Sequence, residues 1–291
     1  MSHLLSTIFT LTFGAQVLRI AVPYALAAMG GAVTERSGVV DLALEAKLLF
    51  GAFAAAAVGH ATGSAWLGIA GGVTAGMLVA ALQVGCALGL GADQVIVGVA
   101  LNLLALGGTR FLLQLLFGEG ANSPPSPGFG SSVLGNPIFW IAAVSAIVLP
   151  FSLRRTRWGV RLRAAGDRPD ALIAVGVSPI SARLRAALVG GALAGAGGAQ
   201  LALSVGGFSA DMSSGRGYIA LAMVILSGWR PAWAVVACLG VAVAEALNIA
   251  FQVTDVAIQP ELAALLPYVM TLAVLILWGA RRPPPRALGQ A

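Results

Sequence analysis

The stretch Gln94–Phe117, QVIVGVALNLLALGGTRFLLQLLF, is long and apolar enough to cross a bilayer as one helix. A crossing takes about 20 predominantly apolar residues, each rising about 1.5 Å. Further runs of this kind lie at 16–33, 38–60, 64–90, 137–153, 186–207, 231–251 and 262–280. Residues 4–14 are apolar but too short to span alone, and 216–229, RGYIALAMVILSGW, is a short run between two long ones.

The composition agrees. Of 291 residues, 58% are hydrophobic and 10% charged, and the mean hydropathy is +0.91. A soluble domain carries about 25% charged residues, so this chain lacks the charge to cover a water-facing surface. Its 38 glycines suit helices that approach closely in lipid. The expected fold is all-α: one polytopic membrane domain over 1–291, with about eight or nine transmembrane helices, the short one near 216–229 among them. The net charge of +6 reads as membrane topology rather than as nucleic-acid binding. Cys86 and Cys238 both lie in apolar runs, and read as small core residues rather than a disulfide or metal site.

Charge orients the spans. The loop of about 154–185 holds Arg154, Arg155, Arg157, Arg161, Arg163, Arg168, Arg183 and Arg185 against Asp167 and Asp170. The end of the chain adds Arg281, Arg282 and Arg286. Both segments belong in the cytoplasm by the positive-inside rule. An even number of crossings must join them, yet only three long runs intervene. The run 216–229 therefore completes a return as a short, discontinuous helix, a device that often lines a substrate path. The Pro-, Gly- and Ser-rich stretch of about 118–136 is an external connector, and the N-terminus falls outside.

Ionisable groups at membrane depth are costly and mark function or pairing. The densest set runs from Glu35 through Arg36, Asp41, Glu45 and Lys47. A helix through this segment puts Asp41 and Glu45 on one face, four residues apart. Ser37 is a possible N-cap and Gly38 a place for the helix to start or break. Asn102 sits inside its span, where inter-helix bonding and path lining are both open. Asp93 reads as an N-cap. Glu245 and Asn248 lie three apart on one face of the next-to-last span. The candidate translocation path is thus Asp41, Glu45, Lys47, Asn102, Glu245 and Asn248. No residue is a catalytic candidate, His3 and His60 being at the margins of spans. The arginine-rich loop contains a short helix around Asp170–Val175, suited to lipid headgroups or to a partner's groove.

Three segments resemble a known family. ERSGVVDLALEAKLLFGAF (35–53) is similar to the ERSGVxNIGLEG hallmark of nucleoside-type ABC importer permeases. RAAGDRPDALIAVGVSP (163–179) resembles that family's cytoplasmic coupling segment, and GRGYIALAMVILSGWRP (215–231) its GRGFIALAAVIFGxWxP segment. They occur in family order, in a larger family that also holds permeases for branched-chain amino acids and simple sugars. The resemblance implies an inner-membrane import channel built with a sister permease subunit, cytoplasmic ATPase subunits and an external substrate-binding lipoprotein. It implies that Gly166, Asp167, Pro169, Ala171, Val175 and Gly176 belong to the coupling segment that enters a groove of the ATPase. Where the family commonly has Asn, Gly, Gly and Met, this chain has Asp41, Ala43, Ala46 and Lys47, which leaves two readings open: Lys47 neutralises Asp41 or a residue of the sister subunit, or the preferred substrate departs from a plain nucleoside.

No G-x-x-x-x-G-K-[ST] occurs, so ATP and its magnesium are expected on the partner ATPase, with no cofactor or metal on this chain and no enzymatic activity of its own. Nucleosides are the first substrate expectation, with simple sugars or branched-chain amino acids as alternatives. An ion-coupled secondary transporter would show an internal repeat with paired broken helices, and no repeat is evident. An intramembrane enzyme would need a nucleophile with its base, or a metal pair.

Overall fold

In the computed structural model, residues 11–130, 132–253, 269 and 283–290 are described, and their regular structure is helical apart from one isolated bridge, Asn122 to Ser209. The helices are α1 (Leu11–Arg36), α2 (Leu44–Thr62), α3 (Ala65–Val84, continued by a π-helical turn Gly85–Gly89), α4 (Gln94–Phe117) and α5 (Pro137–Arg155). Then come α6 (Arg157–Asp167), α7 (Pro169–Ala174), α8 (Pro179–Val205), α9 (Arg216–Leu226) and α10 (Pro231–Val253). Seven of them, α1 to α5, α8 and α10, have the length and apolarity to cross a membrane. The run 262–280, apart from residue 269, and most of 4–14 lie outside the described residues.

Local chemistry sets the helix ends. Asp93 caps α4 by accepting from Val95 N at 2.8 Å and Ile96 N at 3.0 Å, as its position after Gly91 predicts. Asn136 caps α5, accepting from Ile138 N at 2.9 Å, with Pro137 in the first turn. The run 38–60 divides: α1 continues to Arg36, and the chain unwinds over 37–43 before α2 begins. Gly38 turns the chain there with φ of 98°, a conformation open to glycine.

Helix α8 is the hub, packed against α1, α2 and α3. Its sequence GGALAGAGGA (190–199) removes side chains where three neighbours arrive. A Cβ on Gly198 would stand 2.1 Å from the Leu48 carbonyl oxygen, and one on Gly76 2.2 Å from that of Gly191. Backbones therefore touch, which is how helices gain dispersion energy in a solvent as apolar as their own side chains. About three quarters of the most apolar window of α1 and α8 is buried (78% and 72%), against 22% in α5. Helices α3, α4 and α5 instead expose Leu78, Leu103, Phe111, Ile147 and Phe151, side chains suited to lipid.

At one end, α6 and α7 fold under the bundle. At the other, the 118–136 connector is laced to the loop after α8: Ser123 N donates to Phe208 O and Ser126 N to Gly206 O, both at 2.8 Å. The two loops thus lie at opposite ends of the bundle.

Candidate functional site

The unwound segment 37–43 exposes backbone groups that lipid cannot satisfy, and each left alone costs several kcal/mol. Side chains from other helices supply the partners. Gln94 accepts from Val40 N at 2.8 Å, and Gln83 donates to Val40 O at 2.8 Å. Asn102 donates to Leu42 O at 2.8 Å and accepts from Ala46 N at 2.9 Å. Glu35 accepts from Asp41 N at 3.2 Å. The break is thus a built feature, held from α1, α3 and α4 at once.

Short helix α9 runs beside it and is tied at both ends by glutamates that flank it. Glu45 caps the N-terminus of α9: it accepts from Ser213 Oγ at 2.5 Å, Gly215 N at 2.9 Å and Gly217 N at 2.6 Å. A carboxylate in that position meets both unpaired N–H groups and the positive end of the helix dipole. Beyond the other end, Trp229 donates from Nε1 to Glu35 at 2.5 Å. Trp229 has φ of 57°, left-handed and unfavourable for a bulky residue. Its buried indole and the bond to Glu35 keep it there.

A second polar cluster touches the first turn of α9. Glu245 on α10 accepts from Arg216 Nη2 at 2.7 Å and from the Tyr24 hydroxyl at 2.8 Å. The Arg216 guanidinium lies over the Tyr24 ring, 5.9 Å from its centroid. Tyr218, in the first turn of α9, accepts from Asn102 Nδ2 at 3.1 Å and so ties α9 to the first cluster.

The six path candidates fall out as follows. Asp41, Glu45, Lys47 and Asn102 gather around the break, all buried. Lys47 pairs with Asp41, both wholly buried, and the second Asp41 oxygen, Oδ2, has no hydrogen-bond partner among the described residues. Glu245 is partly exposed in the second cluster, and Asn248 is partly buried three residues further along α10. Two local expectations are corrected. Asp41 is not on a helix with Glu45, because α2 starts only at Leu44. Ser37 does not cap α2; its hydroxyl donates to Thr34 O at 2.6 Å as α1 ends. Asn102 bonds between helices, one of its two open readings. Gln83, Tyr24 and Trp229 went unforeseen, although a glutamine inside the apolar run of α3 is itself a signal.

The coupling candidates divide. Asp167 ends α6, Pro169 opens α7, Ala171 and Val175 are exposed, and Gly176 stops the turn with φ of 73°. Gly166 instead faces inward: a Cβ there would lie 2.2 Å from Arg36 O. The base of the α6–α7 unit is therefore seated on the start of the helix break. Its outer side presents Ile173 and Val175 uncovered, and Ile180 in the first turn of α8 is exposed as well. Among the described residues no group of His, Cys, Asp and Glu is arranged to hold a metal ion.

The family model described as branched-chain amino acid transport system / permease component matches residues 14–275. A guanosine ABC transporter permease of Bacillus subtilis is 32% identical over 92% of this chain and 92% of its own length. A nucleoside ABC transporter permease of Lactococcus lactis is 30% identical over 94% of each chain. A Haloferax volcanii protein assigned to glucose ABC transport is 31% identical over 91% of this chain and 92% of its own. No solved structure matches significantly. The chain belongs to the branched-chain amino acid transport system / permease component family, and is a multi-pass permease subunit of the bacterial cytoplasmic membrane.

Proposed function

We propose that this chain forms half of the membrane channel of an ATP-driven importer for nucleosides. A sister permease completes the channel, cytoplasmic ATPases drive it, and an external binding lipoprotein delivers the substrate. ATP and magnesium belong to the ATPases, and this chain holds no cofactor. The observation that carries the reading is the seat of the coupling unit. Uncovered Ile173 and Val175 offer an apolar surface to a partner's groove, while Gly166 on the same unit abuts Arg36 at the helix break. A push on α7 is thereby delivered to the segment around which Asp41, Glu45, Lys47 and Asn102 gather. In this reading those residues, with Glu245 and Asn248, govern the path: the first four set the shape of the break, and the last two line the approach.

Nucleosides are favoured because two relatives carry guanosine or nucleoside transport in their names. The Haloferax relative supports a sugar as the second reading. Uptake of tritiated guanosine and of labelled glucose, in cells with and without this gene, separates them. Loss of guanosine uptake alone supports the nucleoside reading; loss of glucose uptake alone replaces it.

A further inference from the structure

A cavity of about 500 Å³ opens at the arginine-rich end of the bundle, between the close of α1, the end of α6 and the C-terminal segment 283–290. Its wall carries Arg36, Arg163, Arg168 and Arg286 with one carboxylate, Asp167. The two ion pairs among the described residues, Lys47–Asp41 and Arg216–Glu245, lie elsewhere. Arg163 directs Nε to Gly159 O at 3.4 Å. Around Arg36, Asp167 is the one acid set against Arg154, Arg163 and Arg230. Four guanidiniums against one carboxylate leave an excess of three positive charges, and the half-buried Arg36 and Arg163 are screened less by water than the exposed Arg168 and Arg286.

The wall is preformed. Ala287 N donates to Gly166 O at 2.7 Å, Gly289 N to Gly38 O at 3.1 Å, and Arg183 Nη1 to Gln290 O at 2.9 Å. These bonds hold the C-terminal segment, and with it Arg286, against α6 and the helix break. The Pro283–Pro285 run forms a stiff flank. Planar guanidiniums match phosphate oxygens in pairs, and basic pockets at the cytoplasmic side of membrane helices suit phospholipid headgroups.

We propose that this cavity binds a phosphate-bearing anion, either the headgroup of an acidic phospholipid or a soluble phosphate, which bridges the helix break, the coupling unit and the C-terminal segment. The ligand gathers cations that otherwise repel one another, and so stiffens the connection between α7 and the break.

The full-length chain, purified in detergent and delipidated, is titrated separately with short-chain phosphatidylglycerol and with inorganic pyrophosphate, and followed by native mass spectrometry. One equivalent of at least one probe binds, and Arg168→Gln with Arg286→Gln weakens it by at least about tenfold. Both residues are exposed, so the variant folds; matched melting temperatures check this. Arg155→Gln with Arg161→Gln, the same charge change on exposed arginines outside the cavity, leaves affinity unchanged. Binding of phosphatidylglycerol alone identifies the lipid as the source; binding of pyrophosphate alone identifies a soluble ligand; binding of both leaves phosphate as the recognised group. Failure of both probes to bind, or equal weakening by the two double variants, overturns the proposal.

Discussion

Glu45 at the start of α2 accepts a 2.6 Å hydrogen bond from the Gly217 backbone in the first turn of α9, 172 residues later in the chain. With the bonds from Gly215 N and Ser213 Oγ, one carboxylate closes a helix that is not its own. Gly217 makes the approach possible, since a Cβ there would fall 2.4 Å from Glu45 N. Glu45→Ala strips three donors, two of them buried, of their acceptor and is expected to cost about 3 kcal/mol or more. Glu45→Gln keeps an acceptor but loses the charge opposite the helix dipole, a smaller loss of about 1 kcal/mol. Thermal unfolding of the purified protein in detergent ranks the two; equal melting points would remove the capping account.

The Asp41–Lys47 pair gives a sharper test. Breaking a wholly buried ion pair leaves one charge uncompensated, at a cost of about 3–5 kcal/mol. Lys47→Met alone should therefore depress folding yield and transport. Lys47→Met with Asp41→Asn, which removes both charges, should recover most of either. A double-mutant cycle on melting temperature measures the coupling, and strictly additive effects would show that the two residues act apart.

Two glycines separate packing from mere flexibility. Gly198→Ala drives a methyl group into the Leu48 carbonyl and should lower stability by about 1–3 kcal/mol. Gly85→Ala meets nothing within 4 Å in a helical conformation, so it should be neutral or raise stability by up to about 1 kcal/mol. Melting curves of the two variants, measured side by side, decide.

Ile173→Asp and Val175→Asp alter exposed side chains on the coupling unit, so the melting temperature should stay within about 0.5 kcal/mol of its original stability. Co-purification of the ATPase, if the proposed docking is right, falls sharply. Undiminished co-purification would move the docking surface elsewhere.

Much of this arrangement is legible in the sequence, and the limit has a physical cause. Helix α4 follows from its length, its Asp93 cap and the terminal Gly118. The discontinuous α9 follows from charge parity alone, before any contact is known. The segment 37–43 resists because its periodicity suits a helix as well as a break. What favours the break is the set of acceptors and donors on Gln83, Gln94 and Asn102, distant in the chain and silent in a local window. Gly166 shows the same limit from the other side. The resemblance groups it with the coupling segment, but only the fold reveals that it faces Arg36 while Ile173 and Val175 face out.

The seam along α8 has a consequence for inheritance. Every glycine codon begins with two guanines, and any single-base change to either one brings in a side chain or a stop. At Gly191 and Gly198, where a Cβ would press on carbonyl oxygens at 2.4 Å and 2.1 Å, no such error is mild. These positions should stay glycine across natural variants, even where the lipid-facing residues of α5 drift freely among apolar types.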